Sequence, residues 1–171
     1  INDATTLNFI AVDNISPTLA STTPADNATG VVPSANVVLT FSENVQVGSG
    51  NITIFKSDNT QVEAIDVTSG QVTVSGAAVT VNPSSNLDSF QGYYVKVAAT
   101  AIDDLSGNSY AGINDTTTFN FTTGDGQAPT ALVTGPSGLT AVNGAFTATA
   151  TFSENVTGFV LGDITVANGS A

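Results

Sequence analysis

Seven oxygen-bearing side chains stand where the sequence changes from apolar runs to turn residues: Asp13, Glu43, Asp103, Asp104, Asn108, Asp125 and Glu154. Carboxylates and a carboxamide are hard donors, and the chemistry open to them is cation coordination. Ca²⁺ accepts about 6 to 8 oxygens in irregular geometry, whereas Mg²⁺ demands a tighter octahedron, so calcium is the expected ion. Two of the acids recur in the same five letters, FSENV from Phe41 and FSENV again from Phe152, 111 residues further on. Other chemistry has less to work with. The chain has no His and no Cys, which removes the commonest general base, the thiolate nucleophile, thiolate metal ligands and any disulfide. Ser42 and Ser153 read as strand-end hydroxyls. Glu43 with Asp103 or Asp104 has the composition of a glycosidase pair, but there is no Trp platform and no long loop to wall a sugar cleft, so the expectation is a protein that is not an enzyme.

Composition narrows the partners. Fourteen Asp and Glu against two Lys, Lys56 and Lys96, give a net charge of −12, which repels nucleic acid and anionic lipid and attracts cations. No nucleic-acid partner and no membrane insertion are expected, since no apolar run reaches the length of a span. Charged residues make up only 9% of the chain, leaving the surface to Thr, Ser, Asn, Gly and Ala. At 171 residues without a Met, the sequence reads as one domain plus extra segments cut from a longer protein.

The elements that would position the acids repeat. DNISPTL from Asp13 matches DGQAPTAL from Asp125, NITI from Asn51 matches DITV from Asp163, and INDATTLNFIAVD from Ile1 matches INDTTTFNFTTGD from Ile113, each at an offset of 112. The expected organisation is the last strand of one repeat at 1–12, a complete unit at 13–124 and the opening part of another at 125–171. Within the unit, 18–22, VVLTF (37–41), NITIF (51–55), QVTV (71–74), AVTV (78–81), YYVKVAA (93–99) and TTFNFTT (117–123) carry the β-branched and aromatic residues of short strands. PADNATG, VGSG, SDNT, NPSSN and DLSGN between them are turn chemistry, with Gly107 needed for the last. About seven strands in such a unit predict an all-β, immunoglobulin-like antiparallel sandwich with a partial second repeat. Phe41, Phe119, Phe121 and Phe152 fall on core-facing positions. Tyr93 or Tyr94 could seat a tyrosine corner, and Tyr93, Tyr94 and Tyr110 could alternatively bind sugar.

The run SPTLASTTPADNATGVVPSANVVLTFSENV, followed by YYVKVAATAIDDLSGNSYAG and FNFTTGD, resembles the bacterial immunoglobulin-like domain of S-layer proteins and large surface adhesins. The resemblance implies an extracellular or cell-surface spacer or adhesive role, with neighbouring repeats of the same chain as partners. The runner-up is a carbohydrate-binding or accessory module of a secreted enzyme. With strands running alternately up and down, Glu43, Asp103, Asp104 and Asn108 gather at one pole beside Asp13, and Asp125 with Glu154 repeats the start of that arrangement at the next joint. Calcium at the joint and a set of solvated loop acids both remain open. Head-to-tail self-association through the strand at 1–12 is a further expectation.

Overall fold

The computed structural model describes residues 12–135 and 144–165. The chain divides into two compact units, Ile1–Gly126 and Gln127–Ala171. In the first unit the described strands are β1 (Leu19–Thr23), β2 (Ala28–Val31), β3 (Val37–Phe41), β4 (Val45–Val47), β5 (Asn51–Lys56), β6 (Gln61–Asp66), β7 (Val72–Ser75), β8 (Ala78–Val81), β9 (Gly92–Val97), β10 (Ile102–Asp104) and β11 (Asn120–Thr123). They form a four-stranded sheet in the order β1-β3-β8-β7 and a five-stranded sheet in the order β2-β11-β9-β5-β6, with a small β10-β4 ladder beside them. Every pairing is antiparallel except β2 with β11, which is parallel.

Alternation makes the sandwich. A strand turns successive side chains to opposite faces, so β3 buries Val37, Leu39 and Phe41, β5 buries Ile52 and Ile54, and β8 buries Val79 and Val81. Val95 and Val97 of β9, which lies beside β5, and Phe119 and Phe121 at β11 close the same core. Phe41 meets Tyr110 edge to face, with ring centroids 5.1 Å apart. The hydroxyl of Tyr93 accepts the Asp88 N–H at 2.8 Å, the backward bond of a tyrosine corner. Tyr94 lies on the opposite side of β9, stacked on Phe55 at 5.1 Å and donating its hydroxyl proton to Asn59.

Eleven strands, rather than about seven, build this unit among the described residues. Three of the additional ones, β2, β4 and β10, are three or four residues long and carry too little alternation to stand out from turns. The other, β6, mixes Glu63 and Asp66 into its run.

The second unit is described as β12 (Ala131–Thr134), β13 (Thr149–Phe152) and a 3₁₀ turn at Leu161–Asp163. Its pairing, Ala131 opposite Phe152, repeats that of Leu19 opposite Phe41 in the first unit. Phe152 is half-buried against Phe159, not buried as its counterpart Phe41 is. Asp163 sits in the turn, so the strand expected from DITV does not begin there, and its end passes outside the described residues. The strand expected over 1–12 also lies outside them, apart from Val12.

Candidate metal centre

Three segments converge at the start of the first unit. The β4–β10 ladder sets Asp104 opposite Val45, two residues beyond Glu43. Ser42 is locked to Thr18 by two bonds: the Thr18 N–H donates to Ser42 Oγ at 3.0 Å, and the Ser42 N–H donates to the Thr18 carbonyl at 2.9 Å. Asp13, five residues before Thr18, is reached by Asn108, whose Nδ2 donates to the Asp13 carbonyl at 3.1 Å. Asp13, Glu43 and Asp104 thereby each present a carboxylate oxygen within 4.8 Å of the others.

Asp104 is the fixed member, only 1% exposed. Its Oδ1 accepts the N–H groups of Ser106 (2.8 Å) and Asn108 (2.7 Å), and its Oδ2 accepts Asn108 Nδ2 at 2.7 Å. Gly107, at φ +91°, gives the turn the left-handed residue it needs to bring those donors round. Burial works to raise the Asp104 carboxyl, but the bonds from the Asn108 side chain and from the Asn108, Ser106 and Gly107 amides outweigh it and hold the group below the usual carboxylate range. Asp13 is oriented by the Ile15 N–H on Oδ1 at 3.0 Å. Glu43 goes the other way. Burial, then the charges of Asp13 and Asp104, push its carboxyl up, the expected response of an acid crowded by other acids.

The residues fit a hard divalent cation. Two oxygens on opposite sides of one Ca²⁺ stand about 5 Å apart, which the convergence of the three carboxylates accommodates. Asp103 does not join them. As the neighbour of Asp104 on a strand it points the other way, its Oδ1 accepting the Ser109 hydroxyl at 2.6 Å and its other oxygen lying against Gly48. Asn108 turns its amide nitrogen toward the acids, so its bonds position Asp104 and Asp13. Asp125 and Glu154 fall in separate units, and among the described residues neither belongs to a convergent acidic group.

The sequence reading missed two other carboxylates that hold the fold. Asp26 Oδ1 accepts both the backbone N–H and Nδ2 of Asn120 at 3.0 Å. Asp115 accepts the N–H groups of Thr117 and Thr118 and both their hydroxyls, which draws its carboxyl down to about 2. For Asp115 the available signal is an Asp followed by Thr within three residues, a common one in this chain, whereas nothing local links Asp26 to Asn120, 94 residues away.

A family profile described as "Bacterial Ig-like domain" matches residues 13–123. The chain belongs to the bacterial immunoglobulin-like domains. A second profile of the same description matches residues 125–171. No curated protein matches the chain. Among solved structures it is similar to CopC from Methylosinus trichosporium OB3b, at 16% identity over 63% of this chain and 93% of that one, with a TM-score of 0.46. It is also similar to the N-terminal part of the bacterial S-layer protein SbsC, at 20% identity and a TM-score of 0.45, covering 71% of this chain and 26% of that one. A longer SbsC structure gives 20% identity, a TM-score of 0.43 and coverage of 71% and 15%. The immunoglobulin-like chain thus spans about a quarter or less of either SbsC structure. Among its described residues, no helix is long and apolar enough to cross a membrane.

Proposed function

We propose that this bacterial immunoglobulin-like chain is a non-catalytic, extracellular spacer of an adhesin or S-layer type surface protein, stiffened by calcium where the chain enters the domain. The observation that carries the reading is the convergence of Asp13, Glu43 and Asp104 at the first residue of the family match. Asp13 comes from the entering segment, Glu43 from the turn between β3 and β4 and Asp104 from the end of β10, so one ion ties the linker to the body. The oxygens that three carboxylates do not supply come from carbonyls and water. Neighbouring repeats of the same chain are the partners this role requires.

Composition supports the non-catalytic part, because neither His nor Cys is available and Asp104 is committed to its own turn. The sugar-binding alternative loses its platform: Tyr93, Tyr94 and Tyr110 are 2%, 5% and 8% exposed and offer no ring face to a ligand. The test is a thermal melt of the whole chain with calcium and with chelator. Binding to the folded state alone stabilises it by RT ln(1 + [L]/Kd), roughly 2.7 kcal/mol at a hundred times Kd. Superimposable melts would remove the ion and leave a spacer with solvated loop acids. A glycan array tests the spacer itself, for which no selective binding is expected.

A further inference from the structure

The first and last strands of the five-stranded sheet lie side by side and run in the same direction. Phe121 of β11 stands opposite Ala28 of β2, and Thr123 stands opposite Val31. The domain matched at 13–123 has chain on both sides, so tension along the protein enters β2 from its N-terminal end and leaves β11 from its C-terminal end. For parallel neighbours those two pulls act in opposite directions along one axis. The bonds between the strands are then loaded together in shear. Antiparallel neighbours would instead have their loaded ends adjacent, and would open one bond at a time.

Both ends of this pair are pinned. At one end the Asn27 N–H donates to the Asn120 carbonyl at 2.7 Å, and Asp26 Oδ1 takes the Asn120 N–H and Nδ2 at 3.0 Å each. At the other end the Gly124 N–H donates to the Val31 carbonyl at 2.8 Å. The bonds to Asp26 are charge-assisted, stronger than neutral ones. Behind the pair lie Phe119 and Phe121, 1% and 2% exposed, so separating β11 from β2 opens the core. On the same path the entering segment meets the Thr18–Ser42 bonds and β1 first, and these release before β2 is loaded.

We propose that the parallel β2–β11 pair, pinned by Asp26, is a force-bearing clamp that lets the domain resist tension applied through its chain ends. The spacer reading supplies the reason for tension, while the clamp follows from strand direction alone. It requires no ion.

Single-molecule pulling on the full chain tests it. Forced unfolding reads the unfolding rate under load, and rupture of the clamp is recognised by the release of roughly 340 Å, the 96 residues from Ala28 to Thr123 at about 3.5 Å each. Asp26→Ala removes both Asn120 bonds and is expected to lower the rupture force and to speed unfolding at fixed load by at least about tenfold, the low end of what one hydrogen bond to a charged group is worth. Because the chain has no Cys, the paired substitutions Asp58→Cys and Ser75→Cys give a second pulling axis that avoids β2 and β11 in a protein that keeps Asp26. Along that axis the rupture force should be lower than along the terminal one. A terminal force that Asp26→Ala leaves unchanged overturns the clamp, as does a terminal force no higher than the second axis gives. A selective hit on the glycan array would instead unseat the spacer reading and leave these forces as they are.

Discussion

Each acid in this domain is governed by what donates to it. Glu43 receives crowding rather than donors, and its carboxyl is raised by burial and by Asp13 and Asp104. Glu43→Gln should therefore melt no lower than the wild type in chelator, because it removes a charge that the other two acids disfavour. In calcium the order should reverse, since a ligand is lost; melts of both proteins in both conditions would show this, and a variant that responds to calcium as the wild type does would take Glu43 out of the site. At Asp115 the donors of Thr117 and Thr118 outweigh burial, and its folded-state value near 2 lies below its ordinary 3.8. A depressed carboxyl contributes stability that is present above the ordinary value and is lost as pH falls through the folded one. The gap in melting temperature between wild type and Asp115→Ala should accordingly be full near pH 5 and close as the pH approaches 2. A gap constant over that range would mean the Thr117 and Thr118 bonds do not depend on the charge. Neither acid's behaviour was legible from its letter: Asp103 and Asp104 read alike in the sequence, and only the register of β10 against β4 separates them.

At the scale of elements, the repeated FSENV has a structural explanation that holds in both units. In the second, the Thr130 N–H donates to Ser153 Oγ at 3.0 Å and the Ser153 N–H to the Thr130 carbonyl at 3.0 Å, the same clasp that joins Thr18 to Ser42. The Phe ends a strand, in the core at Phe41 and half-buried at Phe152, the Ser fastens the strand that opens the unit, and the Glu comes next at the turn. Phe41→Ala should lower stability by roughly 3 to 5 kcal/mol, since a ring 3% exposed and packed on Tyr110 leaves a cavity. Ser42→Ala should cost about 1 kcal/mol, because it removes one hydrogen bond at an exposed site where water can replace the hydroxyl. Denaturant unfolding of the two variants would order them, and a Ser42 loss as large as that of Phe41 would mean the clasp holds more than the start of β1. The strands with strong alternation, at 37–41, 51–55, 78–81 and 93–99, were legible because their own side chains encode which face is buried. The β2, β4 and β10 segments were not, because a strand of three or four residues takes its conformation from the neighbour it pairs with.

The two units differ in what they bury. The first encloses a core of more than twenty aliphatic and aromatic residues between two sheets, leaving a few such as Phe90 and Leu105 in water, whereas the described part of the second leaves Leu132 65%, Val133 66%, Phe146 59%, Val160 59% and Leu161 69% exposed. A two-stranded sheet with apolar side chains in water is marginal alone and presents an edge that another strand can extend. In the first unit the counterpart of β13 is β3, and its far side is taken by β8. Among the described residues β13 pairs with β12 alone. The donor we propose for that side of β13 is residues 1–12 of a second copy, and the result is head-to-tail association. Light scattering should then give a mass above that of the monomer for the full chain, rising with concentration, and a monomeric mass for a form lacking residues 1–12. Chymotrypsin adds a second readout, because the exposed Phe146 and Leu132 should be cut quickly in the shortened form and more slowly in the associated one, while cleavage at Phe90 and Leu105 of the first unit should be the same in both. Equal monomeric masses and equal cleavage rates would show that the apolar side chains of the second unit are not covered by residues 1–12 of another copy.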